Sequence, residues 1–321
     1  MPRVLRTVVL TTVVFILALL QSFAQGGVVN STKNAQQIAA LHWYGANRTT
    51  TFSIGGFAMS IAYDGANIWV PSETNSSVMK LRANDGALLG TFTVGNYPDG
   101  LAYDGANMWV ANANDSTVTK LRGSDGTALG TFNTGSNPSG LAFDGENIWV
   151  ANTGANYVTK LRASDGTVIG NYLVGQSPTH IAFDGTNIWV SNTTSNTVTK
   201  LLGSTGATLG TFNVGGNPRS IVFDGASIWV ACSLSNNVYK LSANNGSVQG
   251  KYAVGSTPYG VTFDGANIWV VSFANSTVTK LASSNGAILG TYAVGSGPEE
   301  AAFDGTYIWV VNVNDSTVSK L

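Results

Sequence analysis

A unit of forty residues recurs along this chain without insertion. Its core reads IAYDGANIWV at Ile61–Val70, LAYDGANMWV at Leu101–Val110 and LAFDGENIWV at Leu141–Val150, and it returns at Ile181, Ile221, Val261 and Ala301. Seven copies at one short period describe seven equivalent supersecondary units, none of which can bury its apolar face alone. They must pack on one another, and seven such units can close into a ring.

One copy reads as four strands. Leu141–Asp144 is a short strand, and Gly145-Glu146-Asn147 turns into Ile148–Ala151. Tyr157–Leu161 forms a third strand, Ser164-Asp165-Gly166 a hairpin turn, and Val168–Val174 the fourth. Pro at 98, 138, 178, 218, 258 and 298 separates one unit from the next, because Pro cannot donate to a ladder. Four short antiparallel strands joined by tight turns are a propeller blade, and a ring hides edges that an open stack would expose. The expected fold is therefore all-β: a seven-bladed β-propeller over residues 50–321, with four antiparallel strands per blade. Leu321 ends the third strand of the seventh copy, while Thr51–Gly55 matches the fourth-strand segment Thr91–Gly95. An N-terminal strand is thus expected to complete the last blade.

The recurrent residues read as scaffold. Trp69, Trp109, Trp149, Trp189, Trp229, Trp269 and Trp309 fall midway along the second strand as inter-blade anchors. The Asp of each Asp-Gly pair (Asp64 to Asp304) reads as turn chemistry. Each recurrent Lys (Lys80 to Lys320) is expected to lay its stem on the sheet and hold its ammonium in water. Cys232, the only cysteine, excludes an intramolecular disulfide and stands where four sibling copies carry Asn, so it reads as a drifted loop residue.

Charged residues are only 10% of the chain, against about a quarter in average globular proteins. With a net charge of −1 and no basic run, a nucleic-acid partner is excluded as an expectation. Arg3 and Arg6, the apolar stretch Thr7–Leu20 and Ser22-Phe23-Ala24 have the order of a secretory signal peptide over residues 1–24. Export, periplasmic or extracellular, with cleavage before Gln25 is the expectation. No stable membrane span then remains, and a monomer is expected. Residues 25–49 form an extension in which Asn34–Tyr44 has the spacing of a short amphipathic helix, expected to pack on the face carrying the Asp-Gly turns.

Function has to come from where the copies differ. The position after the inter-blade Pro, or after its counterpart Ala58, holds Met59, Asp99, Ser139, Thr179, Arg219, Tyr259 and Glu299. The next position adds His180 and Glu300 among Ser and Gly, and Glu73, Phe273 and Asn314 vary in the loops between second and third strands. These residues are expected to ring the channel mouth as a binding rim. His180 opens the fourth blade and Glu300 the seventh, nearly opposite. That separation argues for a broad binding surface and against a compact metal centre. The residues give no catalytic set, no metal ligand set and no cofactor. The ligand class stays open among protein, glycan and small molecule.

The repeat, seen at Phe143–Asn152 with Tyr157–Gly166, resembles the YVTN-type bacterial β-propeller repeats over residues 50–321, and more loosely those of virginiamycin B lyases. The first resemblance implies the propeller fold and leaves function open, because such propellers include binding proteins, surface proteins and enzymes. The second implies a metal-assisted lyase or hydrolase using a His and Glu residues near the channel, with His180 and Glu73, Glu299 or Glu300 in those parts. The match is incomplete: Trp69-Val70-Pro71-Ser72-Glu73 sets its Glu one residue later than that family's pattern, and no second His reaches the rim.

Overall fold

The computed structural model describes residues 50–321, and these form seven four-stranded antiparallel sheets. The proposed signal segment and the helix at Asn34–Tyr44 lie outside the described residues. The blade at Pro138–Leu173 typifies the rest. Its strands Pro138–Phe143, Asn147–Asn152, Tyr157–Arg162 and Val168–Leu173 pair in chain order from the axis outward. Successive innermost strands touch around the whole ring, the seventh blade's Pro298–Phe303 meeting the first blade's Ala62–Tyr63.

The seventh sheet draws its outer strand from the other end of the chain. Thr50–Ser53 pairs antiparallel with Thr317–Lys320, setting Thr50 against Lys320 and Phe52 against Val318. Phe52 stacks on Trp309 of the same blade at 5.4 Å and also lies against Gly86 of the first blade. One side chain therefore ties the seventh blade to the first.

The core is seven apolar clusters, one at each blade junction. Trp109, for example, packs on Leu141, Ile148, Val150 and Leu161 of the next blade. Burying one Trp removes about 150–250 Å² from water, worth roughly 4–6 kcal/mol gross as an upper bound. The indole N–H is not left unpaired. Trp109 Nε1 donates to Asp104 Oδ2 at 2.8 Å, and all seven Trp–Asp pairs repeat the bond. The other carboxylate oxygen of Asp104 accepts from the Ala106 and Asn107 amides, as turn chemistry requires.

The recurrent lysines correct the sequence expectation. Lys80 is 6% exposed, and its ammonium is not in water. Lys120 lies over Trp109 at 5.1 Å and donates to the Ala163 carbonyl of the next blade at 2.7 Å. Five of its six counterparts reach the following blade in the same way. The driving force is local: the carbonyls of the turn between third and fourth strands need donors, and the indole face stabilises the buried cation. Lys280 differs. It keeps its place over Trp269 at 4.7 Å and lies 3.7 Å from Asp264, but among the described residues no carbonyl accepts from it. Among the described residues the seventh blade shows no such turn to supply that acceptor, its outer strand being Thr50–Ser53.

The same turn explains one glycine. Gly126 has φ +74°, and a Cβ there would meet the Phe92 ring of the preceding blade at 2.1 Å. Cys232 is likewise not a loop residue. It ends the strand Ser227–Cys232 fully buried, and burial pushes its thiol up to about 12. A thiol held protonated in the core offers no nucleophile.

Candidate functional site

Six of the seven inner strands begin at their Pro, earlier than the sequence suggested, the first blade's being only Ala62–Tyr63, and this decides what reaches the axis. Pro138 pairs with Asn152 and Leu141 with Val150, so the inner strand carries one extra residue between those rungs. The same bulge recurs in the other five blades that carry the Pro. A bulge re-aims side chains locally. Here the two consecutive residues after the Pro both line the axial cavity, as Thr179 with His180 and Glu299 with Glu300 do.

The mouth holds a cavity of about 180 Å³ lined by Met59, Asp99, Ser139, Thr179, His180, Arg219, Tyr259, Glu299 and Glu300, with Asn137 and Thr153. A second cavity of about 150 Å³ lies along the inner strands and shares Asp99, His180 and Glu300 with the first. Those three side chains border both spaces. Of the rim residues expected from sequence, Phe273 and Asn314 are absent from the cavity lining, and so is Glu73. It lies instead in a short 3-10 turn, Glu73–Asn75, and is only 5% exposed.

The expected distance between His180 and Glu300 is not observed. His180 Nε2 lies 3.3 Å from Glu300 Oε2, although their strands belong to the fourth and seventh blades. The inner strands converge so closely that groups on opposite sides of the ring meet. Ser220 and the Ala301 amide both donate to Glu300 Oε1, which fixes the carboxylate. Gly260 makes room for it, since a Cβ there would sit 2.8 Å from that oxygen. A sequence signal for this contact existed. The second position after the Pro is Ser60, Gly100, Gly140, Ser220 and Gly260 in five blades, and the two long side chains among these small ones are His180 and Glu300.

The mouth divides into three arcs. Glu299 and Glu300, Glu73 and Asp99 come from the adjacent seventh, first and second blades and make an acidic arc. Ser139, Thr153, Thr179 and Thr193 in the third and fourth blades bond to one another and to the Thr179, Pro178 and Pro218 carbonyls. The fifth and sixth blades add Arg219, which lies over the Tyr259 ring at 4.4 Å, and Phe273, 5.1 Å from Tyr259. Arg219 Nε also donates to Asn217 Oδ1 at 3.3 Å.

Charge in the acidic arc is poorly compensated. Burial pushes the Glu299 carboxyl up to about 8; Arg219 draws it down, while Glu300, Asp99 and Glu73 add to the rise. Burial likewise pushes Glu73 up to about 7, against the pull of the Tyr97 hydroxyl and with a contribution from Asp99. Asp99 is raised by burial and by Glu300, with His180 and Arg219 opposing. Of the four carboxylates only Glu300 has an ion-pairing partner within 4.0 Å among the described residues. Glu73 Oε1 and His180 Nδ1 are buried without any hydrogen-bond partner there.

Among the described residues, no three His, Cys, Asp or Glu side chains are grouped so as to hold a metal ion. The lyase resemblance implies a metal held by His and Glu residues, and of the candidates His180 and Glu300 alone are in contact.

No protein-family model matches the chain, and no curated protein sequence does; the YVTN resemblance therefore rests on the repeat motif alone. Solved structures share its fold. A hydrazine synthase chain from Kuenenia stuttgartiensis superposes with a TM-score of 0.74 at 17% identity, covering 92% of this chain and 99% of that one. Virginiamycin B lyase from Staphylococcus aureus gives 0.73 at 16% identity, covering 85% and 98%, and a streptogramin B lyase gives 0.73 at 16%, covering 85% and 96%. At such identities the likeness establishes a seven-bladed propeller of four-stranded blades and nothing about activity.

Proposed function

We propose that this protein is an exported, non-catalytic propeller that binds its ligand at the channel mouth on the variable face. One observation carries the reading. The charged residues that repeat in every blade are used internally, as Asp–Trp bonds and, at six of the seven lysines, carbonyl clamps, whereas Asp99, His180, Arg219, Glu299 and Glu300, at the variable positions after the inter-blade Pro, gather around one cavity where only His180 and Glu300 pair. A rigid ring with a fixed, polar, partly aromatic concavity suits capture of a small ligand or of a protruding group on a larger partner. Export rests on the Arg3/Arg6, apolar and Ser22-Phe23-Ala24 order, and mass analysis should find Gln25 at the mature N-terminus. Recovery of exported material retaining Met1 would refute that part.

The binding reading is tested by a thermal-shift screen of sugars, peptides, amines and organic anions. The wild type is compared with a double variant, Arg219→Ala with Tyr259→Ala. A ligand that stabilises the wild type, fails with the variant and is recovered chemically unchanged is the expected result. Binding that ignores both substitutions would place the site elsewhere.

A second reading, metal-assisted elimination or hydrolysis, is favoured by the contact between His180 and Glu300 beside Asp99 and by the fold shared with the lyases. Calorimetry with magnesium and manganese, alongside turnover assays of wild type and His180→Ala, separates the two. One-site metal binding and turnover lost together in His180→Ala would establish the enzyme reading.

A further inference from the structure

We infer that the channel mouth recognises an organic cation, a ligand that presents a primary ammonium to Asp99 and Glu299 and lays its hydrocarbon part against Met59 and Tyr259. The inference rests on the binding reading above and names the ligand class. All four residues line the same cavity. The acidic arc brings Glu299, Glu300, Glu73 and Asp99 from three adjacent blades, and its own protein partners leave it unbalanced. Glu300 is committed to His180, Ser220 and the Ala301 amide. Arg219, the fixed cation opposite, is held on Tyr259 and Asn217 and forms no ion pair within 4.0 Å among the described residues. Two carboxylates on the cavity wall therefore have no cation in contact.

A separate observation points the same way. Glu73 is 95% buried by its 5% exposure, and its Oε1 accepts nothing. It does not line the cavity itself, but it lies close enough to Glu299, which does, for its charge to be felt there. Burying an uncompensated carboxylate is unfavourable unless something with donors and positive charge approaches it. An ammonium supplies three donors and a charge together. Among the described residues the mouth holds no group of three metal-ligating side chains, while Met59 and Tyr259 on the cavity wall give an alkyl chain somewhere to lie.

Affinity should depend on pH through the groups that line the cavity, Glu299, Asp99, Glu300, His180 and Arg219, and through Glu73 and the Tyr97 hydroxyl behind them. A cation is bound best when the carboxylates are ionised, so protons are released on binding at neutral pH.

The test is titration calorimetry on the purified full chain with putrescine, its neutral counterpart butanediol, and magnesium, in buffers of contrasting ionisation enthalpy. One saturable putrescine site is expected, with affinity rising about ten-fold from near pH 6 to near pH 9 and with proton release. Asp99→Asn and Glu299→Gln should each weaken it about ten-fold or more without lowering the melting temperature. Asp125→Asn, an exposed turn carboxylate distant from the mouth in its blade, should leave it unchanged. Butanediol binding as well as putrescine, no heat with putrescine, indifference to both mouth variants, or magnesium binding in its place would each overturn the inference. If the ligand screen meanwhile finds a neutral or anionic compound lost in the Arg219/Tyr259 variant, the cation fails and the binding reading stands.

Discussion

Replacing Glu299 by Gln should stabilise this protein at neutral and alkaline pH. Burial, opposed by Arg219 and reinforced by Glu300, Asp99 and Glu73, raises its carboxyl from 4.5 to about 8. A carboxyl raised on folding binds its proton more tightly in the native state than in the unfolded chain. Stability is therefore unaffected below the unfolded value, falls as pH rises from 4.5 towards 8, and levels off above it. Each unit is worth about 1.4 kcal/mol, so the full shift sets a ceiling of roughly 5 kcal/mol. Partial solvent access and relaxation of the arc bring the expected difference to about 2 kcal/mol, or about 3–4 °C in melting temperature for a domain of this size. Gln keeps the shape and removes the charge. Urea unfolding of wild type and Glu299→Gln near pH 4, 6.5 and 9 should give curves that coincide at the acid end and separate by about 2 kcal/mol at the alkaline end. Equal stability near pH 9, or a less stable variant, would mean that Glu299 is compensated in solution, and the unbalanced acidic arc would be wrong.

Other consequences concern the ring. Lys120→Met should cost about 1–3 kcal/mol in a urea melt by leaving the Ala163 carbonyl without its donor. Lys280→Met, at the junction where no carbonyl among the described residues accepts, should cost less than half as much, and equal losses would refute the clamp. Phe52→Ala should cost about 3–5 kcal/mol, because the ring packs on both Trp309 and Gly86. Deleting Thr50–Ser53 should expose the edge of Thr317–Lys320 and produce self-association by light scattering; a monomeric deletion variant of unchanged stability would show that this strand does not latch the ring. Asp104 is pushed up by burial but held below the usual carboxylate range by Trp109, Asn107 and two backbone amides. Its contribution is therefore present above the unfolded value and lost as pH falls through the folded one. Asp104→Asn should destabilise at neutral pH and converge with wild type in acid melts.

The fold was legible because every level of the sequence agreed: the forty-residue period, the Asp-Gly and Pro punctuation, the Trp of the second strand, and the match of Thr51–Gly55 to Thr91–Gly95. What escaped reading depended on distances across blades. Lys120 reads as a solvent residue until the Ala163 carbonyl of the next blade is placed beneath it. The Asp–Trp bond was nearer to legible, since the two residues keep a spacing of five in all seven copies. Cys232 looked like loop drift because the sequence does not show that its Asn siblings sit at a buried strand end. At the mouth, chain order brought the residues after each Pro to one cavity but gave the wrong separation. His180 and Glu300 stand three blades apart, and only the radius of the closed ring, with Gly260 leaving space beside Glu300, brings them to 3.3 Å.

That scale bears on how a repeat protein acquires a site at all. With charged residues at only 10% of the chain, most of the charge is committed to the scaffold: Asp to indoles and turn amides, Lys to neighbouring carbonyls, and Arg82, Arg122 and Arg162 to Asp85, Asp125 and Asp165 three residues on. Each of these pairs is satisfied within its blade or by the next one, so the scaffold has no need of a ligand. The inner strands are different, because the bulge after each Pro turns two successive side chains towards an axis where seven blades meet. Position 99, 219 or 299 can change there without disturbing any junction core, since the junction clusters are built from the second and third strands and the later part of the first. Substitutions at the mouth are thus free of the packing constraint but confined within one small cavity, where every added charge meets the others. Three carboxylates gathered there against one arginine and one histidine form an electrostatic imbalance that the scaffold itself does not correct, and that imbalance, more than the propeller fold, is what a ligand would read.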